Sequence, residues 1–372
     1  MPEMENPFEY GKVATGRDFV DREKELDILH RETRSGKSVV LYSHRRMGKS
    51  SLLLELARRH QRESIFVYVD MYGITSKNHF LEIMAREISA ASQGKMEKLS
   101  TAVSELIRGT RLRVVVTEEG AIGLELGHKE VMSGEMTQIF DMPEAVAAHK
   151  GKRVVVMFDE FQELASMDGV AMIKRMRSRF QLHKNAVYIF AGSKRHLLAQ
   201  IFDEEEGAFF KFARPLEIGP VPLPELERLL IEKFRSGGGR IGVEGVRRIL
   251  DATSGHPYYT VQIAHELFDI SKTPSSPSDV DKAIETAIDH QSPAFSAIWD
   301  SVGSDLQKRF LVAVAKEPGV NHGMDFIERY GLKTYSHLRR TEGLLKKKGL
   351  IDHGELVDPL FAMWLRRIGT VL

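Results

Sequence analysis

The stretch that most constrains this chain is Ser43-His44-Arg45-Arg46-Met47-Gly48-Lys49-Ser50, directly after the apolar run Ser38-Val39-Val40-Leu41-Tyr42. The apolar run, the short polar loop and the helical spacing from Ser51 to Arg59 predict a strand, a loop and a helix. The spacing is that of the phosphate loop G-x-x-x-x-G-K-[ST], with Ser43 in place of the first glycine. Backbone N–H groups at a helix N-terminus have no partner within the helix, so such a loop attracts nucleotide phosphates. Gly48 lacks a Cβ and tolerates positive φ, Lys49 places an ammonium against the β- and γ-phosphates, and Ser50 offers its hydroxyl to Mg²⁺. Arg45, Arg46, Met47, Gly48, Lys49, Ser50 and Ser51 are therefore the candidate nucleotide contacts.

A second signal completes the first. Lys152-Arg153-Val154-Val155-Val156-Met157-Phe158-Asp159-Glu160 is an unbroken apolar run closed by two acids, the pattern of a buried parallel strand. Ligands of open α/β sheets bind beyond the C-terminal ends of such strands. There Asp159 can hold the metal ion together with Ser50, and Glu160 can orient or deprotonate an attacking water. Ala186–Ser193 reads as another buried strand, with Ser193 near the phosphates.

Other segments fill in the organisation. Asp21 is the expected N-cap of a helix that opens Asp21-Arg22-Glu23-Lys24-Glu25-Leu26 and buries Leu26, Leu29 and His30. Ser64–Asp70 reads as a strand and Phe80–Leu106 as an interrupted helix. Two β-type runs between Arg111 and Leu126 read as a hairpin inserted into the α/β pattern, followed by a helix from Ser133 to His149 and another from Val170 to Leu182. Proline density at Gly219-Pro220-Val221-Pro222-Leu223-Pro224 marks a boundary, and Arg214 just before it is a candidate γ-phosphate contact from this subunit or a neighbour. Leu223–Leu267 and Ser278–Ile288 read as helices. They are interrupted at Gly255-His256-Pro257, where His256 can face the nucleotide. From Asp305 on, three helices (Asp305–Lys316, Met324–Tyr330, Thr334–Lys348) and an alternating segment read as a winged helix.

The chain has 372 residues, 42% hydrophobic and 28% charged, with a net charge of +1 and no cysteine. The length suits two or three domains, and the absence of cysteine excludes disulfides and thiolate-bound zinc. With no apolar signal core and no run near the ~20 residues of a membrane helix, the expected location is cytoplasmic, with no membrane partner. Residues 301–372 carry 12 Lys and Arg against 8 Asp and Glu. The excess at Arg339, Arg340, Lys346, Lys347 and Lys348 fits either phosphate contacts of double-stranded DNA or a protein-interaction module.

With these motifs placed, nearly the whole chain resembles the archaeal-type ATPase family, P-loop ATPases near the AAA+ and STAND groups. The resemblance rests on Phe19-Val20-Asp21-Arg22-Glu23-Lys24-Glu25-Leu26, on Arg45–Leu52, on Phe158-Asp159-Glu160-Phe161-Gln162 and on Gly192-Ser193. It also rests on Gly255-His256-Pro257-Tyr258, Asp358-Pro359-Leu360-Phe361 and Trp364-Leu365-Arg366. It implies an α/β fold: a parallel-sheet, AAA+-like P-loop domain (1–218) with the hairpin at about 111–127, a helical lid (219–295) and a winged helix (300–372). It implies that Phe19, Val20 and Arg22 border the adenine and that His256 and Pro257 approach the phosphates from the lid. Arg214 matches the family's Gly-Arg position, with Ala213 in place of the glycine. The expected activity is ATP hydrolysis with ATP/ADP and Mg²⁺, with Glu160, Asp159, Lys49 and Arg214 in the catalytic roles. The alternatives are a STAND-type switch holding ADP with little turnover, and a DNA-binding protein with a structural nucleotide. The oligomeric state stays open.

Overall fold

The computed structural model describes residues 5–92, 112–116, 122–126, 133–167, 169–270, 276–319 and 323–369. The expected helix to Leu106 is seen as Lys77–Ser92; its remainder and the hairpin turn lie outside the described residues. The chain divides into two compact units. One contains Thr15–Arg45 and Lys49–Ile218; the other takes the segment up to Ala14, Arg46–Gly48 and the chain from Gly219 onward.

The first unit is built on five parallel strands: β1 (Val39–Ser43), β2 (Ser64–Asp70), β5 (Arg153–Asp159), β6 (Ala186–Gly192) and β7 (Arg214–Ile218). Their order is β2-β5-β6-β1-β7. One strand, β6, therefore separates the phosphate-loop strand from the acidic strand, and their ends stand roughly 10 Å apart at the usual strand spacing. The hairpin is present as β3 (Leu112–Val116) and β4 (Ile122–Leu126), antiparallel, with Val114 opposite Leu124.

Alternation along each strand feeds two cores. Val39, Leu41, Val155, Met157, Val187 and Ile189 pack against α1 (Glu23–Arg34) and α2 (Lys49–His60) on one face. Val40, Tyr42, Val154, Val156, Phe158, Tyr188 and Phe190 pack on the other. That face meets α3 (Lys77–Ser92), α4 (Ser133–Lys150), α6 (Gly169–Phe180) and α7 (Arg195–Phe202); a short helix, α5 (Glu163–Met167), follows β5. Helices on both faces explain why the central strands read as continuous apolar runs.

Two local expectations are corrected. The cap of α1 is Arg22, in the left-handed region at φ 67°, while Asp21 stands one position earlier. Arg214–Ile218, read as the approach to a boundary, is the edge strand β7, where Pro215 is tolerated because one side of an edge strand needs no ladder donor.

A buried carboxylate anchors the segment before α1. Glu55 of α2 is fully buried, accepts the backbone N–H of Gly16 at 2.9 Å, and pairs with Arg58 and Arg59 at 2.7 Å. The hydrogen bond from Arg58 leads the causes that hold its carboxyl down to about 2, against the opposing push of burial.

The second unit comprises α8 (Leu223–Ser236), α9 (Val243–Thr253), α10 (Pro257–Ile270) and α11 (Pro277–Asp300), then α12 (Asp305–Lys316), α13 (Met324–Arg329), α14 (Tyr335–Lys347), β8 (Ile351–Asp352), β9 (Glu355–Leu356) and α15 (Pro359–Ile368). The helices and the small antiparallel wing from Asp305 onward have the expected order. α11 is longer than its reading to Ile288, continuing through Pro293. Phe8 is fully buried against Phe234 and Phe268, with ring centroids 4.9 and 6.2 Å away, so the N-terminal segment is part of this core. Among the described residues no helix is long and apolar enough to cross a membrane.

Two stability predictions follow from the sheet unit. Phe190 is fully buried, with six rings centred 4.8 to 6.2 Å from its own. Phe190→Ala is expected to cost about 3–5 kcal/mol in urea unfolding. Because the folded pKa of Glu55 lies below its unfolded value, its contribution is fully present above about pH 5 and is lost as pH falls towards 2. Acid unfolding of Glu55→Gln should therefore lose part of its slope in that window; an unchanged profile refutes the assignment.

Candidate functional site

The site forms where β1, β5 and β6 end. β1 stops at Ser43, and the chain turns through Arg46, at φ 61°, and Gly48, at φ 85°, into α2. Among the described residues a Cβ on Gly48 would meet nothing within 4 Å, and the positive φ is one that glycine adopts without strain. The Ser43 hydroxyl is buried and has no hydrogen-bond partner among the described residues.

Lys49 and Ser50, the first residues of α2, reach across to Asp159. The Lys49 ammonium pairs with Asp159 Oδ1, and the Ser50 hydroxyl donates to Asp159 Oδ2. Lys49 Nζ also lies 3.0 Å from Glu160 Oε1. Lys49 is 6% exposed and Asp159 only 2%, so these charges are held out of solvent and depend on one another. The Tyr68 hydroxyl, from β2, donates to Asp159 Oδ2 at 2.8 Å, and the Glu160 N–H donates to Asp159 Oδ1 at 2.9 Å.

Glu160 adopts the left-handed region at φ 53°, a conformation that disfavours a side chain. It persists because its carboxylate is held from several sides. Ser193, just past β6, donates its hydroxyl at 2.8 Å and its N–H at 3.3 Å to Glu160 Oε2, and the Gln162 amide donates to the same oxygen. Burial pushes the Glu160 carboxyl up, but the Lys49 charge and the bonds from Gln162 and Ser193 outweigh it and leave it below the usual range. The carboxylate is thus ionised and aimed. Gly192 makes room for this arrangement: a Cβ there would fall 1.9 Å from Gln162 Oε1.

The other expected residues are placed as follows. Arg45 and Arg46 are exposed, Met47 is buried and Ser51 is half-buried. In the second unit, the Arg46 guanidinium lies 4.2 Å from the centre of the Tyr258 ring and donates to Gln291 Oε1 at 3.0 Å. His256 is buried just ahead of Pro257, the first residue of α10, with its ring 4.4 Å from that of Tyr259. In the sheet unit, Phe19 and Val20 are half-buried, with the Arg59 guanidinium 6.0 Å from the Phe19 ring. Arg22 is buried, pairs with Glu25 at 3.1 Å, and has its pKa lowered by burial.

Arg214 is a correction for a contact within its own chain. It pairs in register with Val39, while Ser43 pairs with Ile218, so Arg214 begins β7 at the end of the sheet away from the phosphate loop. Four residues of strand put it roughly 13 Å from that end. There it is bound to Glu32.

Of the basic residues on and after α14, Arg339 is engaged by the Tyr335 hydroxyl and Glu342, Lys346 lies 3.3 Å from Asp352, and Lys348 donates to the Ser301 carbonyl at 2.7 Å. Arg340 and Lys347 are exposed.

Tyr68 and the positioning role of Gln162 escape a reading of the sequence. A tyrosine two residues before the end of a strand is a weak signal, and only the pairing of β2 with β5 brings it to Asp159.

Comparison with known proteins bears on the family and the fold. A family model described as an ATPase domain predominantly from Archaea matches residues 19–208, more than half of the chain. Among solved structures, the Walker-type ATPase of Pyrococcus abyssi is 16% identical and superposes with a TM-score of 0.71, covering 97% of this chain and 99% of its own. The ORC2 protein of Aeropyrum pernix, solved as ADPNP–ADP complexes, is 12% identical with a TM-score of 0.58, covering 98% and 96%. At these identities the likeness is one of fold. No curated protein sequence gives a significant match. The chain belongs to the family of ATPase domains found predominantly in Archaea.

Proposed function

We propose that the chain is an Mg²⁺-dependent ATPase whose nucleotide state sets the arrangement of its sheet domain and its helical C-terminal region. The observation that carries this is the convergence of Lys49 and Ser50 with Asp159 and Glu160 beyond the strand ends. The donor set fits the ligands. Gly48 and the opening of α2 offer backbone N–H groups for phosphate. The Ser50 hydroxyl and the Asp159 carboxylate, already adjacent, are the hard oxygen donors that suit Mg²⁺. When bound, the ion neutralises charge on the β- and γ-phosphates.

The chain's own residues supply the remainder. Lys49 moves its charge from the carboxylates to the phosphate oxygens, and Glu160 orients the attacking water and accepts its proton. Ser193 reports γ-phosphate through its bond to Glu160. One lysine against two carboxylates leaves the cluster with a net negative charge. Bare ATP is repelled by it, whereas the metal-bound nucleotide is compensated. Nucleotide binding should therefore weaken sharply on chelation.

A STAND-type switch that holds ADP with slow turnover is the second reading. The hold of Tyr258 and Gln291 on Arg46 favours it, because it ties a phosphate-loop residue to α10 and α11. Contact with duplex DNA would rest chiefly on Arg340 and Lys347, because Arg339, Lys346 and Lys348 are internally engaged.

Turnover separates these readings. Glu160→Gln is expected to lower kcat by about 10²–10⁴-fold while ATP still binds; ATP binding with no turnover in the unaltered protein would select the switch. Lys49→Ala should abolish binding by equilibrium titration, and unaltered affinity there would overturn every nucleotide reading. Gly192→Ala displaces Gln162 and should slow hydrolysis about tenfold to a hundredfold with little change in nucleotide Kd. A rate equal to the unaltered protein would show that Gln162 does not position Glu160.

A further inference from the structure

We propose that His30, His60 and Glu63 bind a late first-row divalent metal ion of the Zn²⁺ class, which clips α1 to the C-terminal end of α2. These side chains belong to the sheet unit and lie outside the nucleotide site. One ligand atom from each falls within 4.8 Å of the others. His30 Nε2 is 3.1 Å from Glu63 Oε2, and His60 Nδ1 is 3.4 Å from Glu63 Oε1. A tetrahedral ion with bonds of about 2.1 Å holds its ligand atoms roughly 3.4 Å apart, so the site forms when the two stacked imidazoles turn to aim a ring nitrogen each at one ion.

Each ligand is anchored by a regular element. His30 follows the buried Leu29 on α1, at the edge of the stripe that packs towards α2. His60 is the last residue of α2, where the helix dipole favours a cation. The Glu63 N–H bonds the His60 carbonyl at 2.9 Å, a turn that returns Glu63 to the same side before β2 begins at Ser64. The two imidazoles stack with centroids 3.6 Å apart and 18° between planes, and the carboxylate bridges their edges. Two aromatic nitrogens and one carboxylate are therefore presented together before any ion arrives.

The donor set selects the metal. Imidazole suits Zn²⁺, Ni²⁺, Cu²⁺ and Co²⁺, whereas Mg²⁺ takes oxygen ligands. The site therefore does not compete for the ion assigned to Ser50 and Asp159. The histidine side chains are 26% and 20% exposed and Glu63 53%, so an ion enters from solvent and keeps water in its remaining position. Its location gives it a structural role. α2 begins at Lys49 and ends at His60, so the clip secures the end of the phosphate-loop helix about 16 Å from its catalytic start.

The test is a Co²⁺ and Zn²⁺ titration of the full chain, freed of metal by a chelator, with excess Mg²⁺ and no nucleotide. One equivalent of Co²⁺ should bind with the visible absorption of a four-coordinate site, and Zn²⁺ should displace it. His30→Ala and His60→Ala should each weaken Zn²⁺ binding by about 100-fold, Glu63→Gln by about tenfold, and Asp159→Asn not at all. Zn²⁺ should raise the unfolding temperature of the unaltered chain but not of His60→Ala. If a histidine variant folds poorly, Glu63→Gln at its exposed position carries the test. Absence of a stoichiometric Co²⁺ spectrum, or equal Zn²⁺ affinity in the unaltered chain and in a folded variant, overturns the proposal.

Discussion

The structure of the sheet unit turns on one buried lysine held between two acids. Lys49, Asp159 and Glu160 come from elements separated by more than a hundred residues, and only a parallel sheet with β6 between β1 and β5 brings them together. Charges this sheltered are expensive to desolvate, and removal of any one strands the others. The surrounding bonds from Tyr68, Ser50, Gln162 and Ser193 offset that cost. They also keep Glu160 in a backbone region that costs on the order of 1–3 kcal/mol. A purely structural ion pair would not require an acid in that conformation. In the ATPase reading proposed above, Glu160 would be held in that conformation to face an incoming phosphate.

The sheet that supports this cluster spends its best apolar sequence on the two strands next to it. β5 and β6 are almost wholly buried, and the rings of Phe158, Phe180, Tyr188, Phe190 and Phe209 fill the space under the site. A rigid layer of this kind fixes the strand ends from which Asp159 and Ser193 project. The opposite face is smoother, with aliphatic side chains beneath α1 and α2. There polar groups do the positioning: Glu55 binds the Gly16 N–H and thereby sets the path of the segment that carries Phe19 and Arg22.

Much of this was legible in the sequence because parallel strands covered on both faces leave unbroken apolar runs, and because the phosphate loop and the acid pair each have a fixed spacing. What escaped had weaker local signals. β7 is an edge strand with exposed Arg214, Pro215 and Glu217, so it lacks the apolar run that betrayed its neighbours. Arg214 looked close to the site because it stands between aromatic residues and a proline and matches the Gly-Arg position of the family that the chain resembles. Distance along the chain does not say at which end of a strand a residue falls, and the register with Val39 puts it at the far one. Tyr68 and the His30–His60–Glu63 cluster depend on pairings between elements that no single stretch encodes.

In the function proposed above, the nucleotide loop is also a mechanical element. Gly48 and Lys49 are neighbours in sequence, yet Arg46–Gly48 group with the helical unit and Lys49 with the sheet. Arg46 is held by a ring of α10 and an amide of α11, and Gln291 is in turn bonded to Gln262 at 3.2 Å. Lys49, three residues on, is held by acids at the end of β5. In that reading, a phosphate that draws Lys49 away from those acids acts on the loop that also carries Arg46. A ligand shifts a conformational equilibrium only by the difference in its affinity for the two states. In the proposed mechanism that difference has a definite source, since the state seen here pairs Lys49 with Asp159 and Glu160 and the nucleotide-bound state would pair it with phosphate. In the proposed mechanism that exchange of partners is one contribution to the free energy of any change in the loop.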